Sequence, residues 1–137
     1  MSLRFQAQIL KNPGMWKWDS DEEYIYFTDG AMARRIPAGD CLLNPEQFQQ
    51  RKGVFDLFRD EKPWEEMDAS KLRIKDSGYT AVQLVSDSGQ VCWINEMYYK
   101  PFSKFIWEYS GKDFVRVRNP GTLELEAVVT TMKIRDK

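Results

Sequence analysis

Hydrophobic and polar residues alternate in several short stretches of the chain, and this pattern is typical of half-buried β-strands. The first stretch is residues 3–10, where Phe5, Ala7 and Ile9 fall on one side and polar residues on the other. It predicts a strand that ends at the turn before Gly14. Further strands are predicted at residues 22–27, 31–36, 71–74, 79–85, 91–94, 105–109, 114–118 and 123–134.

The segment Thr28-Asp29-Gly30 separates two of these predicted strands. Asp-Gly between apolar runs indicates a hairpin, because glycine tolerates the positive φ that a tight turn requires. We therefore expect residues 22–27 and 31–36 to pair with each other.

Two segments carry helix-start signals. Asn44 is a suitable N-cap, Pro45 fits the first helical position, and Gly53 follows as a C-terminal cap. Asn95 is the corresponding cap of a second, shorter helix. The two predicted helices are residues 45–52 and 96–102.

The last two predicted strands suggest their own register. If Val115 and Val117 face the core, the arginines between and after them face outward. A three-residue loop at 120–122 then places Arg116 opposite Glu126 and Arg118 opposite Glu124. Such exposed ion pairs would specify register more than stability.

Composition limits the function classes. The chain has 137 residues, enough for one domain, and no histidine, which excludes Ser–His and Cys–His nucleophile pairs. It has no glycine-rich phosphate loop, and Cys41 and Cys92 both lie in apolar contexts that predict buried free thiols. We expect a non-enzymatic protein without cofactor or metal. The acidic run that begins at Asp19 is interpreted as a solvated strand entry.

Charge and targeting signals complete the composition. The net charge is -1, but residues 1–68 carry 9 basic and 13 acidic residues, a net of -4, and residues 69–137 carry 11 and 8, a net of +3. This division is either chance or the sign of a basic face. No signal peptide or membrane-spanning run is recognisable, so we expect a cytoplasmic protein without a membrane role.

Part of this pattern resembles one domain of the bacterial DNA sliding clamp, the processivity factor of the replicative polymerase. The resemblance covers residues 22–37, a strand that runs into Thr28-Asp29-Gly30 and a second strand, and residues 90–134, a strand, a short helix and three strands. It implies an α+β fold of mostly antiparallel sheet with two short helices, forming a single clamp-like domain over residues 1–137. Residues 38–89 are an atypical central segment.

The resemblance also implies a function. Clamp helices form the surface that faces DNA, so Arg51, Lys52, Lys100 and Lys104 would contact duplex DNA weakly and independently of sequence. One such domain cannot encircle DNA, so it would self-associate through sheet edges. The alternative is that these residues form an ordinary solvated surface.

Residues 54–58 look like the short peptide with which polymerases and repair proteins dock into a clamp. Leu57-Phe58 after an acidic residue match that motif, whereas Val54 stands where glutamine belongs. Phe55, Leu57 and Phe58 would then bind a replication or mobile-element protein; otherwise the segment is a buried loop anchor. The alternative function is a protein-interaction or structural module with no nucleic-acid role.

Overall fold

The structure is a computed structural model that describes residues 3–59 and 63–134. The chain divides into two compact units, Met1–Asp60 and Glu61–Lys137. Both contain helices and mostly antiparallel strands, so the predicted α+β class is confirmed. The single clamp-like domain over residues 1–137 stays a prediction.

The first unit packs a helix and several short turns against a four-stranded sheet. Its helices and strands are α1 (Leu3–Lys11), β1 (Lys17–Ser20), β2 (Tyr24–Thr28), β3 (Met32–Pro37), β4 (Gln49–Gln50) and α2 (Asp56–Arg59). The strands lie in the order β4-β1-β2-β3, with β4 parallel to β1 and the other neighbours antiparallel. Its core includes Tyr26, Phe27 and Ile36.

Residues 3–10 form the helix α1, so the predicted strand is wrong. Phe5 and Ile9 are four residues apart, a spacing that places them on one side of either a strand or a helix. The residue that distinguishes the two is Ala7, which is exposed, while Gln6 is buried beside Phe5. The alternation in the sequence was misleading because Gln6, although polar, is buried, where its side chain forms hydrogen bonds with backbone groups of the same unit.

The predicted hairpin after Thr28 is confirmed. Strands β2 and β3 are antiparallel, with Thr28 paired to Ala33. Gly30 has a φ of 96°, and the Asp29 carboxylate accepts hydrogen bonds from two following backbone N–H groups. Glycine and aspartate therefore have the turn roles that their sequence predicted.

The predicted helix at residues 45–52 is wrong. Asn44 does accept a hydrogen bond from the N–H two residues later, at 3.1 Å, but only a single 3-10 turn follows, Pro45–Gln47. The chain then extends, because the Trp18 indole N–H binds the Phe48 carbonyl at 3.0 Å and strand β4 pairs with β1. Tertiary pairing outweighs a local helix signal here.

The second unit is a six-stranded antiparallel sheet with one short helix. Its elements are β5 (Glu65–Asp76), β6 (Tyr79–Val85), β7 (Val91–Asn95), α3 (Glu96–Tyr99), β8 (Ile106–Tyr109), β9 (Phe114–Arg118) and β10 (Leu125–Thr130). The strands lie in the order β10-β9-β8-β5-β6-β7. An isolated antiparallel bridge joins Trp93 to Met132, after β10.

Strand β5 is much longer than the predicted strand at residues 71–74. Its first three residues, Glu65 to Met67, pair with β8, and the remainder pairs with β6. A register shift between Ala69 and Arg73 marks a bulge. Beyond Met67 one edge of β5 pairs with no other strand of the described residues.

The predicted order of elements over residues 90–134 is confirmed. Asn95 caps α3, and its Oδ1 accepts the Met97 N–H at 3.0 Å. The predicted helix at residues 96–102 consists of α3 followed by a 3-10 turn at Lys100–Phe102. Val115 and Val117, which were predicted to face the core, are both buried, and so are Trp107, Leu125 and Ala127 on the same three strands.

The predicted register of β9 and β10 is wrong. Arg116 lies opposite Val128 and Arg118 opposite Leu125, with a bulge before Ala127. The loop is longer than three residues, since Leu123 adopts a positive φ of 63° and its N–H binds the Asn119 carbonyl at 2.7 Å. Both arginines pair instead with the neighbouring strand β8.

The cysteines are both free, as predicted, but only Cys92 is buried, and Cys41 is half-buried. Burial raises the pKa of the Cys92 thiol to about 12. In the described part of the chain no helix has the length and hydropathy to cross a bilayer.

Candidate functional site

Lys100 and Lys104 stand at the end of the short helical segment of the second unit. Asn95 starts this segment immediately after β7, and Pro101 lies in the 3-10 turn that ends it. The Lys100 side chain is 73% exposed, and Lys104 is exposed in the turn that follows. Both predicted DNA contacts are therefore exposed, but neither lies on α3 itself: Lys100 begins the 3-10 turn and Lys104 follows it.

Strand β5 brings a third cation to this helix. The Arg73 guanidinium lies 3.6 Å from a carboxylate oxygen of Glu96 and 5.9 Å from the centre of the Tyr99 ring. The Lys100 ammonium lies 3.5 Å from the other oxygen of Glu96. A single carboxylate thus joins two cations that are far apart in sequence, and both pairs are partly exposed to solvent.

Lys71 and Lys75 are exposed on the same strand, two residues either side of Arg73. Lys71 falls within the bulge between Ala69 and Arg73, whereas Lys75 follows it on the regular part of the strand. We give the name basic face to the five exposed cations of these two elements and the turn after them, Lys71, Arg73, Lys75, Lys100 and Lys104. Its ammonium and guanidinium groups are hydrogen-bond donors without acceptor atoms, so the face suits anionic ligands.

Arg51 and Lys52 are exposed in the first unit, but they do not lie on a helix. They directly follow β4, and the Arg51 backbone N–H binds the Trp18 carbonyl at 2.8 Å. Their place among the DNA contacts rested on a helix that does not form. The assignment of both residues to DNA stays a prediction.

The predicted partner-binding residues lie around α2. Phe58 is 5% exposed, and its ring centre lies 5.1 Å from that of Tyr26. Phe55 lies 6.4 Å from the same tyrosine ring, and the Arg59 guanidinium lies 5.0 Å above Phe55. Leu57 is half-buried. The segment has the contacts of a loop anchor, and its predicted role in partner binding remains a prediction.

Asp21 fixes α2 to the sheet. Its carboxylate accepts a hydrogen bond from the Tyr26 hydroxyl at 2.7 Å and pairs with Arg59 at 2.9 Å. Burial raises the pKa of Asp21, but the hydrogen bonds from Tyr26 and from the N–H groups of Glu23 and Tyr24 outweigh it and lower the pKa to about 2. Burial and the neighbouring carboxylate raise the pKa of Tyr26.

Asp19 binds the backbone of the segment that precedes α2. It is 4% exposed, and one carboxylate oxygen accepts the N–H of Gly53 at 3.0 Å and that of Phe55 at 3.4 Å. The acidic run is therefore partly structural rather than wholly solvated. Among residues 3–59 and 63–134, no group of three or more acidic or thiol side chains could hold a metal ion.

A second charge cluster lies on the sheet of the second unit. Glu108 accepts hydrogen bonds from Arg116 at 3.3 Å and from Arg118 at 2.8 Å. Arg116 is 8% exposed, and its guanidinium lies 4.0 Å above the ring of Trp64. This packing makes the cluster a structural feature of the sheet.

The charge asymmetry found along the sequence does not follow the two units. Residues 1–60 contain 8 basic and 9 acidic residues, a net of -1, and residues 61–137 contain 12 of each, a net of zero. Positive charge is concentrated locally instead, on the basic face.

Sequence analysis missed Lys71, Arg73 and Lys75 as members of that face. The signal was present, because these three cations alternate with Leu72 and Ile74 along one strand. What the sequence could not provide was the contact between Arg73 and α3, which unites the two groups.

No protein-family model, curated protein or solved structure matches this chain.

Proposed function

We propose that this protein is a non-enzymatic, clamp-like module that contacts the backbone of duplex DNA through the basic face. The observation that carries the proposal is the contact of Arg73 with Glu96 and Tyr99. Through Glu96 it joins Arg73 of β5 to Lys100, which the sequence analysis had assigned to DNA for a separate reason.

The geometry of the face suits phosphates better than bases. Lysine ammonium groups on flexible stems neutralise phosphate charge without reading sequence. The strand–helix–three-strand order of residues 90–134 is the element order on which the clamp resemblance rests, and it supports the same proposal.

The size of the footprint sets the expected affinity. Five cations, two of them paired with Glu96, give a shallow electrostatic attraction, so binding should be weak and strongly dependent on salt. Assembly of several copies through sheet edges would add contacts and is part of the proposal.

The proposal is tested by measuring the affinity for a short duplex of mixed sequence over a range of salt concentrations. The wild type should bind at low salt, and log K should fall linearly with log salt. Replacing Lys100 and Lys104 together by alanine should weaken binding and reduce the slope by about 1.8, because each lost phosphate contact contributes about 0.9.

A matched control removes two other exposed lysines of the second unit, Lys112 and Lys133. It changes the net charge equally and should leave the slope close to that of the wild type. Absence of duplex binding at low salt would refute the proposal. If the control pair reduced the slope as much as the Lys100 and Lys104 pair, the basic face would not be the DNA-binding surface.

The second candidate is a protein-interaction module with no nucleic-acid role. It is favoured by a different surface, the exposed apolar side of α1.

A further inference from the structure

Helix α1 has an apolar side that its own unit does not cover. Phe5 and Ile9 are buried against the core. Leu3 and Leu10, by contrast, are 55% and 61% exposed, and Ala7 between them is also exposed. Residues spaced by four and seven positions lie along one stripe of a helix, so these three side chains form a continuous apolar stripe.

A neighbouring loop extends this stripe. The side chain of Gln6 donates to the Asp40 carbonyl at 2.9 Å and accepts the Leu42 N–H at 2.7 Å. These bonds hold the loop against α1 and place Leu42, which is 77% exposed, next to the helix. We call Leu3, Ala7, Leu10 and Leu42 the α1 apolar face.

The face accounts for most of the exposed apolar surface of the first unit. Among the described residues of that unit, the large hydrophobic side chains that are exposed are those of Leu3, Leu10 and Leu42, together with Met15 in the turn that follows α1. Clustered exposure of this kind marks interaction sites, whereas scattered exposure does not.

The charges beside the face specify its partner. Arg4 and Lys11 are exposed on the side of α1 that adjoins the stripe, and residues 3–18 contain no acidic residue. Asp40 stands on the opposite side, in the loop. A partner with leucine-like anchors and a flanking row of carboxylates would complement both the apolar stripe and the two cations.

We propose that the α1 apolar face binds an acidic amphipathic helix of a partner protein. The stripe from Leu3 to Leu10 spans about two helical turns, which a second helix matches with anchors at i, i+3 or i+4, and i+7. A second copy of this chain fits less well, because two α1 helices packed face to face would bring Arg4 and Lys11 of both copies together.

The test uses a labelled helical peptide with leucines at that spacing and glutamates beside them. Binding is measured by fluorescence anisotropy, with a second peptide that carries lysines in place of the glutamates. The glutamate peptide should bind the wild type, and the variant Leu3→Ser with Leu10→Ser should bind at least about tenfold more weakly, because it loses two apolar anchors.

A charge reversal tests the second half of the proposal. Arg4→Glu with Lys11→Glu should lose the glutamate peptide and gain the lysine peptide. The control is Leu72→Ser with Met97→Ser, which removes two exposed apolar side chains from the second unit and should leave binding unchanged. All of these positions are exposed, and circular dichroism verifies that each variant is folded.

Several results would overturn the proposal. These are no saturable binding of the glutamate peptide, equal binding of the lysine peptide, and equal weakening by the control variant. Sedimentation that shows a dimer lost in the Leu3→Ser, Leu10→Ser variant would make a second copy the occupant, and binding to phosphatidylglycerol vesicles lost in that variant would make it a lipid surface. The Leu3→Ser, Leu10→Ser variant changes neither the basic face nor the net charge, so it should bind duplex DNA as the wild type does, and failure of the one proposal is distinguishable from failure of the other.

Discussion

Replacing Gln6 should destabilise the first unit far more than replacing any other polar residue of α1. Its side chain is 3% exposed, and its amide makes two hydrogen bonds to the backbone of the loop at residues 40–42. In Gln6→Leu the side chain keeps a similar volume, but the Asp40 carbonyl and the Leu42 N–H both lose their partner.

The magnitude follows from those two bonds. Each contributes about 1 kcal/mol net, and a group left without a partner adds a desolvation penalty of about 1–3 kcal/mol if water cannot reach it. Leucine recovers part of this through its apolar surface, and the loop is near solvent, so we expect a loss of about 2 kcal/mol.

Gln6→Glu gives a sharper result, because it should be pH-dependent. A protonated carboxyl has one donor and one acceptor, as the amide has, and can serve both loop groups. The ionised form cannot donate to the Asp40 carbonyl and is buried. The pKa of this glutamate should therefore be raised in the folded state, so the variant should be nearly as stable as the wild type at acid pH and lose stability as pH rises.

The assay is urea unfolding of both variants at several pH values, with Gln8→Glu as the control. Gln8 is exposed on the same helix, so its replacement should change the unfolding midpoint little at any pH. A Gln6→Leu midpoint equal to that of the wild type, or identical pH profiles for the two glutamate variants, would refute the assignment of Gln6 as the link between α1 and the loop.

Three further predictions follow from charged or ionisable groups. The stability of the first unit should fall as pH drops from about 4 towards 2, because the folded pKa of Asp21 is lowered from 3.8 to about 2; Asp21→Asn should flatten that part of the profile in acid unfolding. Cys92 should not react with a thiol reagent before unfolding, which is measured in Cys41→Ser so that one thiol reports; rapid labelling would contradict its burial. Glu108→Gln should lower the free energy of unfolding by about 3 kcal/mol, because Arg116 loses its ion pair while buried, whereas exposed Glu66, opposite Glu108, should tolerate the same change.

Sequence patterns predicted the strands and turns of this chain better than its helices. The β-rich composition of Tyr79 to Val85 and the Asp29-Gly30 turn are local properties, and both the strand and the turn appear in the structure where they were predicted. Helix α1 was missed because Gln6 is buried, and the carbonyl that satisfies its amide belongs to Asp40, 34 residues away in sequence. An interpretation based on hydrophobic periodicity places glutamine on the solvent side, and this placement made residues 3–10 resemble a strand rather than a helix.

The candidate sites show the same limit. Lys100 was found because a capped helix precedes it, whereas Arg73 could join it only through contacts with Glu96 and Tyr99 on another element. Arg51 was placed on a helix by a sound local signal at Asn44, which the pairing of β4 with β1 overrides. Local rules identified side chains that can bind, and long-range contacts decided which of them lie together.

The displaced pKa values have structural causes within each unit. In the described part of the chain, those of Asp21 and Glu65 are lowered, and those of Tyr26, Cys92 and Tyr109 are raised. Hydrogen bonds hold the two carboxylates ionised, and burial holds the phenols and the thiol neutral. These hydrogen bonds and this burial belong to the packing within each unit, whereas both proposed binding surfaces are built from other, exposed side chains, so substitutions on those surfaces should test binding without removing these contacts.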